Sequence, residues 1–392
     1  MSPVKTRSAV VYTDEVESAA AGAALGKQVL DAMEGELPQA LILFVSPRYE
    51  ARVLVEAVQN ACHPELLVGC SSAGEFTQAA QGEGLACAVA LASPDLRFAA
   101  CIAKNISDDR AAAAQHLVAG FLGVGGAGSE YASALILTDA LAGHADDLLE
   151  HLTLFSGGNY QFFGGGAGDD ARFSHTQVIC GNEVCTNAVV ALEILSKKPV
   201  GIGVRHGWHP LGSGMRVTEA RGNCLVSLNA VTAVEVFAQH AVATNQHFDP
   251  SDPMPFFLHN ILGIDTGEGY KLRVPLAAND DGSITCAAEI PEGAIVRIMI
   301  TDSEAARNAA AEATRDALQK LDGHEPQVAL FFDCVATRLR LGQSFGYELG
   351  AIQQVLGPID YAGCNTYGQV ARAEGQFSGF HNCTAVVCVI PS

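Results

Sequence analysis

At 392 residues and 49% hydrophobic side chains, the chain has enough apolar material for a core spread over two or three domains. A formal charge of -20 excludes nucleic acid and anionic membrane surfaces as principal partners, because an acidic surface neither neutralises phosphates nor releases counterions. No basic leader with an apolar stretch opens the chain, and no uncharged apolar run approaches the ~20 residues that cross a bilayer. A cytoplasmic protein without membrane insertion is expected, with its twelve cysteines reduced.

In chain order, a strand from Ala9 to Tyr12 leads to a helix over about Val16 to Met33, stopped near Gly35 and Pro38. Leu41 to Val45 is the next strand. The helix Tyr49 to Ala61 places Val53, Leu54, Ala57, Val58 and Ala61 on one face. Strands dominate to Ile102, and a helix from Asp108 to Phe121 precedes a glycine-rich surface turn, Gly123 to Gly128. Ala134 to Thr138 is a strand, and a hairpin over Thr176 to Ile194 turns around Gly181-Asn182. From Pro199 to Leu228 glycines punctuate short strands, and the junction of two halves, 1–229 and 230–392, is placed just after it. The second half reads as a helix from Ala230 to Ala243, a polar loop, then strands at Phe257 to Ile264, Lys271 to Leu276 and Ile284 to Ile300. An alanine-rich helix, Ser303 to Leu321, is built for close packing on a sheet. Val328 to Asp333, a helix from Tyr347 to Leu356 and Thr384 to Ile390 close the chain.

Three turns end predicted strands in nearly the same residues. They are Gly69-Cys70-Ser71-Ser72-Ala73-Gly74-Glu75, the degenerate Phe163-Gly164-Gly165-Gly166-Ala167-Gly168-Asp169, and Gly363-Cys364-Asn365-Thr366-Tyr367-Gly368-Gln369. Each follows a strand and helix and precedes another apolar strand, so a unit of strand, helix, strand, turn and strand recurs. The fold class expected is α+β: layered mixed sheets with outer helices, αββα-like.

Turns of this composition expose main-chain N–H groups to a ligand, and Ser71, Ser72, Asn365, Thr366 and Tyr367 add hydroxyl and amide groups. The plainer reading is that the glycines only permit tight packing. No turn matches a phosphate-binding fingerprint. A second feature, Lys197 to Arg221, concentrates Lys197, Lys198, Arg205, Arg216 and Arg221 beside His206, Trp208 and His209. Such a cluster recognises a carboxylate ligand, including haem propionates with an axial histidine, or else is a charged strand edge. Cys180 and Cys185, expected to face each other across the hairpin, would make a zinc set with His206 and His209, although the histidine spacing is short for one. Cys70 or Cys364 could act as a nucleophile with His381 nearby, against the ordinary reading of buried packing thiols.

With these residues laid out, the chain resembles the FIST-domain proteins, an N-terminal FIST module followed by a C-terminal one. The resemblance runs from about Pro38 to Pro391. It rests on Val68 to Glu75, Gly164 to Asp169, Gly201 to Gly212 with His206-Gly207-Trp208-His209-Pro210, Val217 to Asn223, Asn365 to Gly368, and Phe380-His381-Asn382. It implies a non-enzymatic, small-ligand-binding sensor of signal transduction. In its most specific form this is a haem b-based nitric-oxide sensor acting on a separate histidine kinase or cyclic-dinucleotide enzyme. His209 is then the expected iron ligand, with His206 and His381 as alternates, and Cys70, Ser71, Ser72, Gly165, Gly166, Asn365, Thr366, Tyr367, Arg205 and Arg216 the expected pocket. The alternatives are a sensor of an amino acid or other metabolite without haem, and a cysteine-dependent hydrolase or transferase. An oligomer is compatible with each.

Overall fold

Both faces of the strand Ala40–Val45 are buried, which explains its unbroken apolar sequence. Ile42 and Phe44 point into a core shared by three sheets, while Leu41, Leu43 and Val45 point to helices outside. The same two-faced design recurs in Tyr131–Thr138 and Pro326–Cys334. The structure, a computed structural model, describes residues 6–123, 130–372 and 378–392. Of the expected surface turn Gly123 to Gly128, only Gly123 falls within them.

Three six-stranded sheets share one strand order. The first runs Arg7–Thr13, Ala86–Ala92, Ala40–Val45, Leu66–Ser71, then Val178–Cys180 and Glu183–Cys185. The second runs Leu96–Lys104, Ala188–Ser196, Tyr131–Thr138, Gln161–Gly166, then Gln369–Arg372 and Ser378–His381. The third runs Gly201–Arg205, Ala385–Pro391, Pro326–Cys334, Tyr361–Thr366, then Glu75–Thr77 and Gln81–Gly82. In each, the middle pair is parallel and its neighbours antiparallel. The closing hairpin of every sheet is lent by another repeat. Repeat one completes sheet three, repeat two sheet one, and repeat three sheet two.

This cyclic exchange makes the three sheets the walls of a single core, with helices on the outside, the α+β arrangement expected. Ser18–Ala32 and Ala51–Cys62 cover the first sheet, Arg110–Ala119 and Ala145–Phe155 the second, Ser303–Gln319 and Phe345–Leu356 the third. The alanine-rich helix packs as closely as its sequence predicts. A Cβ added to Gly201 or Gly203 would lie 1.9 or 1.8 Å from the carbonyl oxygens of Ala317 and Ala313.

Repeats one and two pass directly from edge strand to helix, from Thr13 to Ser18 and from Lys104 to Arg110. In repeat three the same link carries residues 206–302. This insertion forms an eight-stranded sheet, with His209–Arg221 and Ile295–Ile300 at its centre, and helices Ala233–Ala243 and Met254–Phe257. It has its own core of Val217, Leu225, Phe237, Phe257 and Leu262. Repeat three therefore draws on both sides of the expected 229/230 junction, since Gly201–Arg205 pairs with Ala385–Pro391. The expected hairpin differs. Its turn is present, but the strand Ala188–Ser196 leaves for the second sheet.

Candidate functional site

Gly69, Gly164 and Gly363 are equivalent, because each faces the neighbouring parallel strand where a Cβ would come within 2.5, 2.1 and 1.8 Å of the oxygens of Leu43, Ile136 and Phe331. This register moves the middle copy by one residue from the sequence-based alignment, so that Cys70, Gly165 and Cys364 correspond. The three turns meet in a closed ring. Ala73 N–H donates to the Asn365 carbonyl, Tyr367 N–H to that of Gly166, and Gly168 N–H to that of Ser71, each at 2.9 Å. In return, Asn365 N–H donates to Gly74 and Gly166 N–H to Gly368, at 2.8 Å. The third return bond, from Ser71 N–H, goes to Gln177 at 2.9 Å.

The turns converge, but their amides are spent on one another instead of facing a ligand. Their hydroxyls are also engaged: Ser71 Oγ accepts Gln177 N–H at 2.9 Å, Ser72 Oγ meets Glu75, and Thr366 Oγ1 donates to the Asp333 carbonyl at 3.0 Å. Asn365 is the exception. Its side-chain amide is fully buried with neither polar atom hydrogen-bonded.

An apolar cleft, open to solvent, lies beside the ring. Its floor is where strands of repeats two and three end: Ala140 and Leu141, then Cys334, Val335, Ala336 and Leu339, with Tyr367 and Gly368 from the third turn. Met254, Leu258, Val274 and Leu276 of the insertion form the opposite wall. Of the expected pocket residues, Tyr367 lines this cleft, whereas Cys70, Ser71, Ser72, Gly165, Gly166, Asn365, Thr366, Arg205 and Arg216 do not. Phe173 stacks on Tyr367 with ring centroids 4.4 Å apart. The Tyr367 hydroxyl donates to Asp169, which also accepts the N–H groups of Phe173, Ser174 and His175 at 2.8 Å. Burial alone would raise the Asp169 carboxyl, but these donors outweigh it and hold it below the usual range.

Cys334, which sequence reasoning passed over, is the chemically distinctive group in the wall. The Cys383 thiol lies against its sulfur, and N–H groups of Cys383 and Ala336 and the Gln369 amide add to that donor. Against burial, they pull its pKa down to about 6. Its sequence signal is position: it is the last residue before the turn into a helix, as Ser46 and Asp139 are before theirs. Cys364 is the opposite case. Burial pushes its thiol well up, with Cys70 alongside, so the nucleophile expected at these turns lacks an environment that favours a thiolate.

The histidines expected to hold iron stand elsewhere. His209 is exposed, paired with Ile300 in the insertion. His206 is half-buried, with Nε2 3.1 Å from the Tyr270 carbonyl oxygen and Nδ1 accepting Trp208 N–H at 3.3 Å. Burial, then Lys271 and Arg273, lower the buried His381 to about 3. Among the described residues no histidine lines the cleft, so those residues do not fit an imidazole-ligated haem. Arg205 pairs with Asp316 at 2.7 Å, and Arg216 is exposed on the insertion. The zinc set is not assembled. The two-residue turn pairs Cys180 with Glu183 and leaves Cys185 opposite Val178, and among the described residues no group of three His, Cys, Asp or Glu is placed to hold a metal.

Two family models match the chain: the FIST N domain over residues 39–231 and the FIST C domain over residues 233–372. No curated protein matches it. Among solved structures it is similar to "Structure of PurLQS from Thermotoga maritima", at 13% identity over 98% of this chain and 72% of that one, with a TM-score of 0.23, too slight a likeness to argue from. The FIST N match ends within the insertion and the FIST C match carries on through it into the ring's third turn, so one molecule holds both modules, and the chain belongs to the FIST family of small-ligand sensor domains of signal transduction.

Proposed function

We propose that the protein senses a small molecule with an apolar body and one polar end, bound in the cleft between the three-sheet body and the insertion. The observation that carries this reading is that the two walls belong to different parts of the fold. A ligand touching both favours the arrangement in which they are closed on it, and that differential affinity is what a sensor requires. Tyr367, Asn382 and Cys334 supply the polar contacts. The output passes to a separate protein, such as a histidine kinase or a cyclic-dinucleotide enzyme. No helix among the described residues is long and apolar enough to cross a membrane.

A thermal-shift screen against small apolar acids, alcohols and haem tests the reading. A ligand at a hundred times its Kd stabilises the fold by ~2.7 kcal/mol, and Leu339→Trp, which puts an indole into the cleft, should abolish the shift. If stabilisation survives Leu339→Trp unchanged, the ligand sits elsewhere. The haem version is judged separately, by a Soret band that changes with nitric oxide. A protein that takes up no haem loses that version and keeps the metabolite one.

A further inference from the structure

The pseudo-threefold register assigns Cys334 a role that neither its own repeat nor the cleft alone reveals. Asn365 corresponds to Gly166 and Ser71, and their parallel partners are Asp333, Thr138 and Val45. The next residues, Cys334, Asp139 and Ser46, are therefore equivalent. Ser46 Oγ accepts the N–H of Arg48 at 3.3 Å and Asp139 Oδ1 that of Leu141 at 3.1 Å, two residues on in each case. The N–H of Ala336, likewise two residues on, is among the groups that lower the Cys334 pKa. Asp139 Oδ2 further accepts Asn187 N–H at 2.6 Å, just before the strand Ala188–Ser196. The matching residue in repeat three, by the register of the last strand pair, is Cys383, whose N–H is also among the groups that lower the Cys334 pKa. The sulfur thus occupies a frame of donors that holds an aspartate in repeat two. Such a frame favours an anionic sulfur.

Cys383 adds a second thiol beside the first, in the same buried cluster as Cys334. Both residues are nearly inaccessible, Cys334 at 3% and Cys383 at 4%, and Cys334 meets the outside through a mostly apolar cleft. Only a small, uncharged reagent is suited to reach it. We propose that Cys334 and Cys383 form a hydroperoxide-reactive thiol pair in the cleft wall. The Cys334 thiolate attacks one oxygen of ROOH, the O–O bond breaks, and RO⁻ leaves to be protonated by water. Sulfur loses two electrons and becomes a sulfenic acid. The Cys383 sulfur then displaces hydroxide from it, and that hydroxide takes the Cys383 proton and departs as water, leaving a disulfide. The sum is two thiols and ROOH to one disulfide, ROH and water. The inference deepens the cleft reading, on which it rests for access.

The test uses the full reduced chain, hydrogen peroxide as probe, alkylation to stop the reaction, and peptide mass spectrometry. The expected first product is a Cys334–Cys383 disulfide, formed at a rate that rises about tenfold from pH 5 to pH 7. In Cys383→Ser, oxidation should stop at a dimedone-trappable sulfenic acid on Cys334. Oxidation of the half-exposed Cys101, Cys180, Cys185 or Cys224 before Cys334 overturns the proposal, as does a rate that ignores pH. The wild-type reaction needs no variant to fold. A disulfide that forms while no small molecule shifts the melting point removes the ligand reading and leaves the thiol pair; ligand shifts with an inert Cys334 remove the thiol pair alone.

Discussion

Glu75 and Gln369 occupy the same position in two repeats and make the same two contacts. Gln369 Nε2 donates to Thr366 Oγ1 at 2.9 Å, and its side-chain oxygen accepts Thr384 N–H at 3.2 Å. Glu75 meets Ser72 Oγ with one oxygen and accepts Leu85 N–H at 3.0 Å with the other. The glutamine shows that a neutral side chain satisfies the equivalent site, although Gln369 donates to Thr366 whereas Ser72 Oγ donates to Glu75. Burial is the main cause that pushes the Glu75 carboxyl to about 8, with Asp170 adding to it and Ser72, Leu85 and Arg338 opposing it.

That pairing fixes the sign of a pH effect. The folded-state pKa lies above the unfolded value of 4.5, so between about 4.5 and 8 the unfolded chain gives up a proton the folded one keeps. Glu75 therefore costs stability as pH rises through that window, by up to ~1.4 kcal/mol per pH unit. Glu75→Gln should be more stable than the wild type at pH 7.5, by a margin that shrinks towards pH 4.5. Urea unfolding of both proteins at pH 5, 6.5 and 8 measures the difference, and a constant margin would contradict a protonated Glu75.

Why the turns were legible and the cleft was not follows from range. Gly69 and Gly363 write themselves into the sequence because any Cβ there would strike the adjoining strand, and long strands such as Ala40–Val45 show as continuous apolar runs because both faces are covered. The lent hairpins carry no such mark. Glu75–Thr77 is three residues long and its partners are Ala362 to Cys364, a pairing set by the ring and not by local pattern. Composition likewise pointed to the amides of the turns, but those amides bond one another across repeats, which only the closed ring reveals. One wall of the cleft comes from an insertion that reads as an ordinary run of strands, and the donors around Cys334 arrive from Cys383 and Gln369.

The insertion is fastened by charge. Asp146, on the helix Ala145–Phe155, accepts from Arg273, from Lys271 at 2.5 Å, and from Phe380 N–H at 2.9 Å. Arg273 is 1% exposed and also donates to the carbonyls of Glu289, Leu272 and Phe380. Burial would raise the Asp146 carboxyl, but the two cations outweigh it and keep it low. Asp146→Ala leaves both cations buried without their counterion and should cost ~3–5 kcal/mol, whereas Asp146→Leu with Arg273→Met should recover much of the loss. Urea midpoints decide between them. A loss below ~1 kcal/mol in the single variant would mean that the insertion is held by apolar contacts alone.

Two glycine substitutions separate steric need from conformational convenience. At Gly363 a Cβ would lie 1.8 Å from the Phe331 carbonyl oxygen and 2.6 Å from the Phe76 ring, so the parallel pair must part and the hairpin lent by repeat one loses its seat. Gly363→Ala should cost more than ~3 kcal/mol and leave little soluble protein. Gly350 sits exposed inside the helix Phe345–Leu356 with nothing within 4 Å of an added Cβ, and there alanine should raise stability by ~0.5–1 kcal/mol. Melting temperatures of the two variants give the comparison. A Gly363→Ala protein that melts with the wild type would show that the sheet can yield at the ring, and the three glycines would then be ordinary turn residues.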